Sequence, residues 1–211
     1  MAAFWPVVLT VSGLAIAGLF GRAVRGHFVS RELPPAMKAL VAASYLAAVV
    51  YLFALWSGEG ILWQRIAGLC LQIAAAGLFN WARKATLSNR FTAAFDTDEP
   101  KFLVKDGPYR FIRHPFYVSY ILFWFGSSLA ANSLSLWVLC LVLISVYVTA
   151  ALLEEKKFKK SPFADDYALY TKRTGFFFPR ILAFARQSRP EGQLAPRDSV
   201  SRGIWRREPR A

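Results

Sequence analysis

Five long runs of apolar residues, almost free of charge, constrain this chain more than any other feature. They lie at 4–20, 39–57, 61–82, 115–131 and 136–153. A helix needs about 20 residues to cross the hydrocarbon core of a bilayer, and each run reaches or approaches that length. Within hydrocarbon a segment must satisfy its own backbone N–H and C=O groups, which selects helix for separate runs of this size. The expected fold is an all-α integral membrane protein with five transmembrane helices. The second and third runs are joined by Ser57-Gly58-Glu59-Gly60, the fourth and fifth by Asn132-Ser133-Leu134-Ser135. Links that short impose antiparallel helical hairpins. Ser127 and Ser128 dilute the fourth run, and a re-entrant segment is its alternative.

Charge then orients the helices. Of 211 residues, 55% are hydrophobic and 18% charged, yet the formal net charge is +13. So apolar a chain is not intrinsically disordered, and a soluble nucleic-acid binder has no need of such runs, so no nucleic-acid partner is expected. Residues 21–38 hold four Lys or Arg, 83–115 hold seven and 154–211 hold fourteen; the amino terminus and the two short links hold none. The remaining one, Arg65, sits a turn into the third run, where it can snorkel outward. Basic loops stay in the cytosol, so the N-terminus is expected outside and the C-terminus in the cytosol. Ala15-Ile16-Ala17 has the look of a signal cleavage site, but no positive charge precedes the first run and Arg22 and Arg25 follow it, which favours a retained helix. Gly13, Ala17 and Gly21 recur every four residues, predicting a small-residue face for close helix packing.

Residues 1–185 are read as one membrane domain and 186–211, with seven Arg and three Pro, as a basic disordered tail. The stretch 154–185 has helical character and ends in Phe176-Phe177-Phe178-Pro179 and Ile181-Leu182-Ala183-Phe184, which suits a segment lying on the membrane surface. Cys70 and Cys140 both fall inside apolar runs, and His27 and His114 lack Cys or Glu at ligand spacing; neither a disulfide framework nor a metal site is expected.

Chemistry is left to the helix ends. The chain has no Gly-x-Gly-x-x-Gly, phosphate loop, Gly-x-Ser-x-Gly or Cys-x-x-Cys. One cluster is Asp106-Gly107-Pro108-Tyr109-Arg110-Phe111-Ile112-Arg113-His114-Pro115-Phe116-Tyr117. Pro115 suits the first turn of a helix, and a helix start beside Arg113 suits an anionic group. The other cluster is Glu154-Glu155, either neutralised on a solvated face by Lys156, Lys157, Lys159 and Lys160 or part of a site. With the hairpin turn near residue 133 or 134, equal rise on both helices sets Glu154 level with Arg113 and His114. Two readings stay open: a site for a zwitterionic ligand, or an ion pair that closes the hairpin. Gln72 and Asn80 are expected to make interhelical hydrogen bonds, with an acceptor channel as the alternative, and Tyr120 and Trp124 to serve packing or lipid contact.

The order Gly107-Pro108-Tyr109, Arg113-His114-Pro115-Phe116-Tyr117, Glu154-Glu155, Tyr167 and Tyr170 resembles the isoprenylcysteine carboxyl methyltransferase family, which is similar to the membrane phospholipid methyltransferases. The resemblance spans roughly residues 100–180. It implies S-adenosylmethionine as cofactor, held at the cytosolic ends of the last two helices by Gly107, Tyr109, His114, Pro115, Tyr117, Glu154 and Glu155 and covered by Tyr167 and Tyr170. It also implies that Arg113 and His114 stand beside the reacting groups, and that the methyl acceptor is a lipid-like or amphiphilic molecule reached from the surrounding membrane lipids. An isoprenylcysteine carboxylate, a lipid amine and a small thiol are the candidates. Departures fall on the acceptor side: Ser119 stands where the family often has Gly, and Phe163-Ala164 where it usually has Phe-Gly.

Two other classes compete. Membrane sterol reductases, which use a reduced nicotinamide cofactor, share an Arg-His-Pro-x-Tyr element, but usually have more membrane helices and are expected to differ at Glu154-Glu155. A non-enzymatic scaffold whose basic face binds anionic lipid leaves the two clusters unexplained. The Ala- and Arg-rich composition suggests a bacterial inner membrane, with the site facing the cytosol; in a eukaryote the endoplasmic reticulum would be the counterpart.

Overall fold

The computed structural model describes residues 3–27, 35–58, 60–86, 100 and 102–180. The expected basic tail and residues 181–184 lie outside the described residues, as do residues 87–99 and 101 of the 83–115 connection. Residues up to Arg180 form one compact unit. Its helices are α1 (Phe4–His27), α2 (Pro35–Ser57), α3 (Leu62–Ala85), α4 (Pro115–Ala131), α5 (Leu134–Phe158) and α6 (Ala164–Arg173), with a 3-10 turn at Gly107–Arg110. Among the described residues there is no strand, only an isolated bridge between Ile112 and Gly175. Four helices, α1, α2, α3 and α5, are long and apolar enough to cross a membrane; α4, at 17 residues, is shorter. The structure is thus an all-helical integral membrane protein.

The helices outrun the apolar segments that predicted them. α5 in particular continues through Glu154 and Glu155 to Phe158, so that both carboxylates ride on a continuous helix. The α4–α5 hairpin is tighter than the sequence suggested, with only Asn132 and Ser133 outside helix. Asn132 takes the left-handed conformation (φ 48°), which Asn tolerates better than most residues. Ser128 Oγ donates back to Trp124 O at 2.8 Å and lies 3.3 Å from Leu136 O across the turn.

α3 and α4 form the tightest pair. A Cβ on Gly68 would fall 2.5 Å from the Gly126 carbonyl oxygen, and one on Gly126 would fall 2.8 Å from that of Gly68. The backbones therefore touch, as small residues permit in membrane helices. Beside this contact, Gln72 is fully buried and ties four helices together. Ser12 Oγ of α1 donates to Gln72 Oε1 at 2.6 Å, and Gln72 Nε2 donates to Tyr51 Oη of α2 at 3.1 Å and Ser127 Oγ of α4 at 3.0 Å. Tyr51 Oη in turn donates to Leu9 O at 3.1 Å. Interhelical bonding is therefore the role of Gln72. Asn80 is different: its amide returns to Ala76 O within α3.

The Gly13, Ala17 and Gly21 face does not do what its spacing suggested. Gly13 meets the Tyr51 ring, but Ala17 and Gly21 line a cavity between α1 and α2. The removed side-chain volume leaves room there instead of bringing helices together.

Candidate active site

Between the start of α4 and the end of α5, the level match expected from hairpin arithmetic is present. Arg113 Nε donates to Glu155 Oε1 at 2.7 Å, and its Nη1 donates to Thr174 O at 2.7 Å. His114 sits between the carboxylates, with Nδ1 3.5 Å from Glu154 Oε2 and Nε2 3.4 Å from Glu155 Oε1. Tyr117, one turn into α4, donates its hydroxyl to Glu154 Oε1 at 2.6 Å. Two cations and two carboxylates thus form one hydrogen-bonded cluster.

An imidazole with both ring nitrogens facing carboxylates is best satisfied as imidazolium, which donates from both. Burial alone would lower the His114 pKa, but the hydrogen bonds and charges of Glu154 and Glu155 outweigh it, and the value is raised above 6.5. The buried Tyr109, Tyr167 and Tyr170 hydroxyls are pushed up by desolvation and stay protonated.

The segment after α5 closes over the cluster. Tyr167 and Tyr170, three residues apart on α6, share its buried face. Tyr170 Oη donates to Tyr109 O at 2.7 Å, and the Tyr167 ring stacks on Phe158 at 4.8 Å. α6 starts with Asp165 and Asp166 and ends with Lys172 and Arg173, matching the helix dipole; Asp166 also pairs with Lys105 at 3.7 Å. The chain then runs extended: Arg113 N donates to Gly175 O at 2.9 Å and Gly175 N to Phe111 O at 3.0 Å. Phe176 lies against His114 (4.9 Å between ring centroids) and under the Arg113 guanidinium (5.6 Å). Here the surface-helix expectation needs correction. Phe176 and Phe177 pack against the core, and only Phe178 is well exposed, because the bridge to Ile112 turns the strap inward.

A cavity of about 430 Å³ opens beside this cluster, within the range usual for small-molecule sites of about 300–1,000 Å³. Arg113, His114, Pro115, Tyr117 and Glu154 form its polar end, with Tyr109, Tyr167 and Tyr170 around them. Two expected cofactor residues are not on its wall. Glu155 stands behind Arg113 and His114 and acts through them. Gly107, in the left-handed conformation (φ 59°), sits against Ala85 and Trp81, where a Cβ would be 2.8 Å from the Ala85 methyl; it docks the 3-10 turn on the end of α3. Sequence reasoning missed Tyr147 as a wall residue and treated Tyr120 and Trp124 as packing. The signal was there for Tyr147, two helical turns before Glu154 and so on the same face. The wall contributed by α1 and α2 had none.

An all-helical membrane protein with a charged pocket at one end of a helix hairpin suits an enzyme acting on a molecule that is part polar and part lipid. Residues 63–166 match the phospholipid methyltransferase family. Over that segment, just under half of its length, the chain is similar to this family of membrane methyltransferases. The cobalt-zinc-cadmium resistance protein CzcN of Cupriavidus metallidurans is 33% identical over 86 residues, 41% of this chain. The matched part is 39% of that relative, so the chain spans well under half of its length.

Proposed function

We infer that the protein transfers a methyl group from S-adenosylmethionine to an amphiphilic acceptor at the polar end of the cavity. The observation that carries this reading is one continuous cavity, with Arg113, His114, Tyr117 and Glu154 at one end and apolar helix faces at the other. The residues suit the cofactor. Glu154, part-exposed, offers acceptor oxygens to hydroxyl or ammonium groups, and Arg113 offers a cation to a carboxylate. The buried Tyr167 hydroxyl faces Glu155. Glu155 and Thr174 hold Arg113 in place, and Phe176 and α6 exclude water.

When bound, S-adenosylmethionine supplies an already activated methyl group, so the task of the protein is alignment and exclusion of water. His114, paired on both nitrogens, is poorly placed to take a proton from the acceptor. This favours acceptors that need no deprotonation, a carboxylate or thiolate such as an isoprenylcysteine or a small thiol, over a neutral lipid amine. The loop charges support a site on the cytosolic side of the membrane, with the N-terminus outside.

Calorimetry with S-adenosylhomocysteine on detergent-purified protein, run in parallel with reduced nicotinamide dinucleotide phosphate, tests this reading. Saturable binding of the first alone is expected. Binding of the second alone would transfer the site to reductase chemistry, and binding of neither by folded protein would remove the enzyme reading.

A further inference from the structure

Three tyrosines on the cavity wall pack on one another: Tyr117 and Tyr120 of α4 and Tyr147 of α5. Their ring centroids lie 6.0 Å apart for Tyr117 and Tyr147, 5.5 Å for Tyr120 and Tyr147, and 6.5 Å for Tyr117 and Tyr120. Tyr147 stands at the middle of α5, away from the membrane interfaces where tyrosine is common. A leucine would line an apolar wall there without a hydroxyl to satisfy. Two of the hydroxyls are engaged with protein: Tyr117 donates to Glu154 Oε1 at 2.6 Å, and the Tyr147 hydroxyl faces Ser44 of α2 and Trp124 of α4. The tyrosines therefore offer the cavity aromatic ring, whose electron-rich face attracts a cation. A short O–H···O⁻ bond to a carboxylate is a strong one, and it enriches the Tyr117 ring further. Glu154 is also the one carboxylate on the wall among the described residues. A cation in this cavity is best served beside Glu154 and these rings.

We propose that Tyr117, Tyr120 and Tyr147 form a cation-recognising wall that holds the sulfonium of the methyl donor and releases the neutral thioether left after transfer. The proposal rests on the methyltransferase reading and assigns residues to the charge of its donor. Glu154 suits the donor's ammonium, and only a short carbon chain separates that ammonium from the sulfonium. The rings adjoining Glu154 are thus within reach of the sulfonium. Transfer of the methyl group to an acceptor lone pair leaves the bonding electrons on sulfur and cancels its charge. Donor and product then differ little in shape but fully in that charge. Aromatic faces attract the first and are indifferent to the second, so the wall favours exchange of spent product for fresh donor.

The test is calorimetric binding to the full chain in nanodiscs. The probes are S-adenosylmethionine, neutral S-adenosylhomocysteine, and sinefungin, which carries a protonated amine in place of the sulfonium. The native chain should bind both cations about fivefold or more tighter than the neutral thioether. Tyr120→Leu and Tyr147→Leu should each cut that ratio by about threefold or more while leaving S-adenosylhomocysteine affinity within about twofold. Tyr147→Phe keeps the ring and should keep the ratio. Should the leucine variants fail to fold, Tyr147→Phe analogues of increasing ring fluorination, close to the native shape, should lower the ratio stepwise as fluorine drains the ring face. A ratio that none of these variants moves, or an equal loss for charged and neutral probes, would overturn the proposal and leave the tyrosines as packing. In that outcome the binding of S-adenosylhomocysteine still upholds the methyltransferase reading. Binding of no probe by folded protein would remove that reading and the proposal with it.

Discussion

Small residues do opposite work in two helix pairs of this protein. In α3 and α4, Gly68 and Gly126 let two backbones touch. In α1, Gly13, Ala17 and Gly21 are spaced for the same purpose, yet Ala17 and Gly21 face a cavity and α2 stands away from α1. The difference lies in what else fills the space. Between α1 and α2 the Tyr51 ring fills the space beside Gly13, while Phe20 of α1 turns to Phe79 on α3 and to Tyr120 and Phe123 on α4. The closed pair fixes the scaffold on which α4 presents Arg113 and His114, and the open pair leaves the room a ligand needs.

The largest effect is expected in the charged cluster that the closed pair supports. Glu155→Ala would leave the Arg113 guanidinium buried without its carboxylate, a loss of about 3–5 kcal/mol by the usual cost of breaking a buried pair. Thermal unfolding in detergent measures it, and an unchanged midpoint would mean that Arg113 finds another partner. Gly68→Val drives a side chain into the Gly126 carbonyl and should cost about 1–3 kcal/mol. If it is tolerated, the closed pair is looser than its geometry. Gln72→Leu removes three interhelical hydrogen bonds while Ser12, Tyr51 and Ser127 each keep a backbone carbonyl to donate to, and should cost about 1–2 kcal/mol, since such bonds are individually modest in membranes. The same loss should widen the separation of α1 and α2, which double electron–electron resonance between labels on those helices would report.

The His114 cluster adds a pH dependence. With a folded pKa raised above 6.5, the charged imidazole contributes stability that is complete below the unfolded value of about 6.5 and is lost as pH rises through the folded value. The unfolding midpoint should fall across that window in the native chain and lose that pH dependence in His114→Gln; equal slopes would show that another group titrates. The smallest effect belongs to the open side. Ala17→Leu should leave thermal stability within about 0.5 kcal/mol, as expected for a substitution outside the packed core. A large loss would mean that α1 and α2 close on each other, contrary to the geometry.

Much of this was legible in the sequence because the physical rules involved are local. Hydrocarbon thickness and backbone hydrogen bonding turn each apolar run into a helix. A short link makes a hairpin, and a fixed rise per residue then brings Glu154 and Glu155 level with Arg113 and His114. That arithmetic sees only two helices joined by a turn. Which carboxylate faces the cavity was outside its reach: Glu154 and Glu155 are neighbours in sequence, and a 100° step around α5 puts Glu154 on the wall and Glu155 behind it. The inward turn of Phe176 and Phe177 was equally hidden, because an apolar tripeptide suits a membrane surface or a core, and only the Ile112–Gly175 bridge decides.

By itself, then, the sequence determined an all-helical membrane protein, its hairpins and the chemical cast of its charged cluster, since periodicity, length and charge act along the chain. The tertiary structure alone decided whether a small-residue face becomes a contact or a cavity. That outcome depends on side chains from other helices, Tyr51 and Gln72 among them, whose meeting is set by packing between segments far apart in the chain and not by the spacing within any one of them.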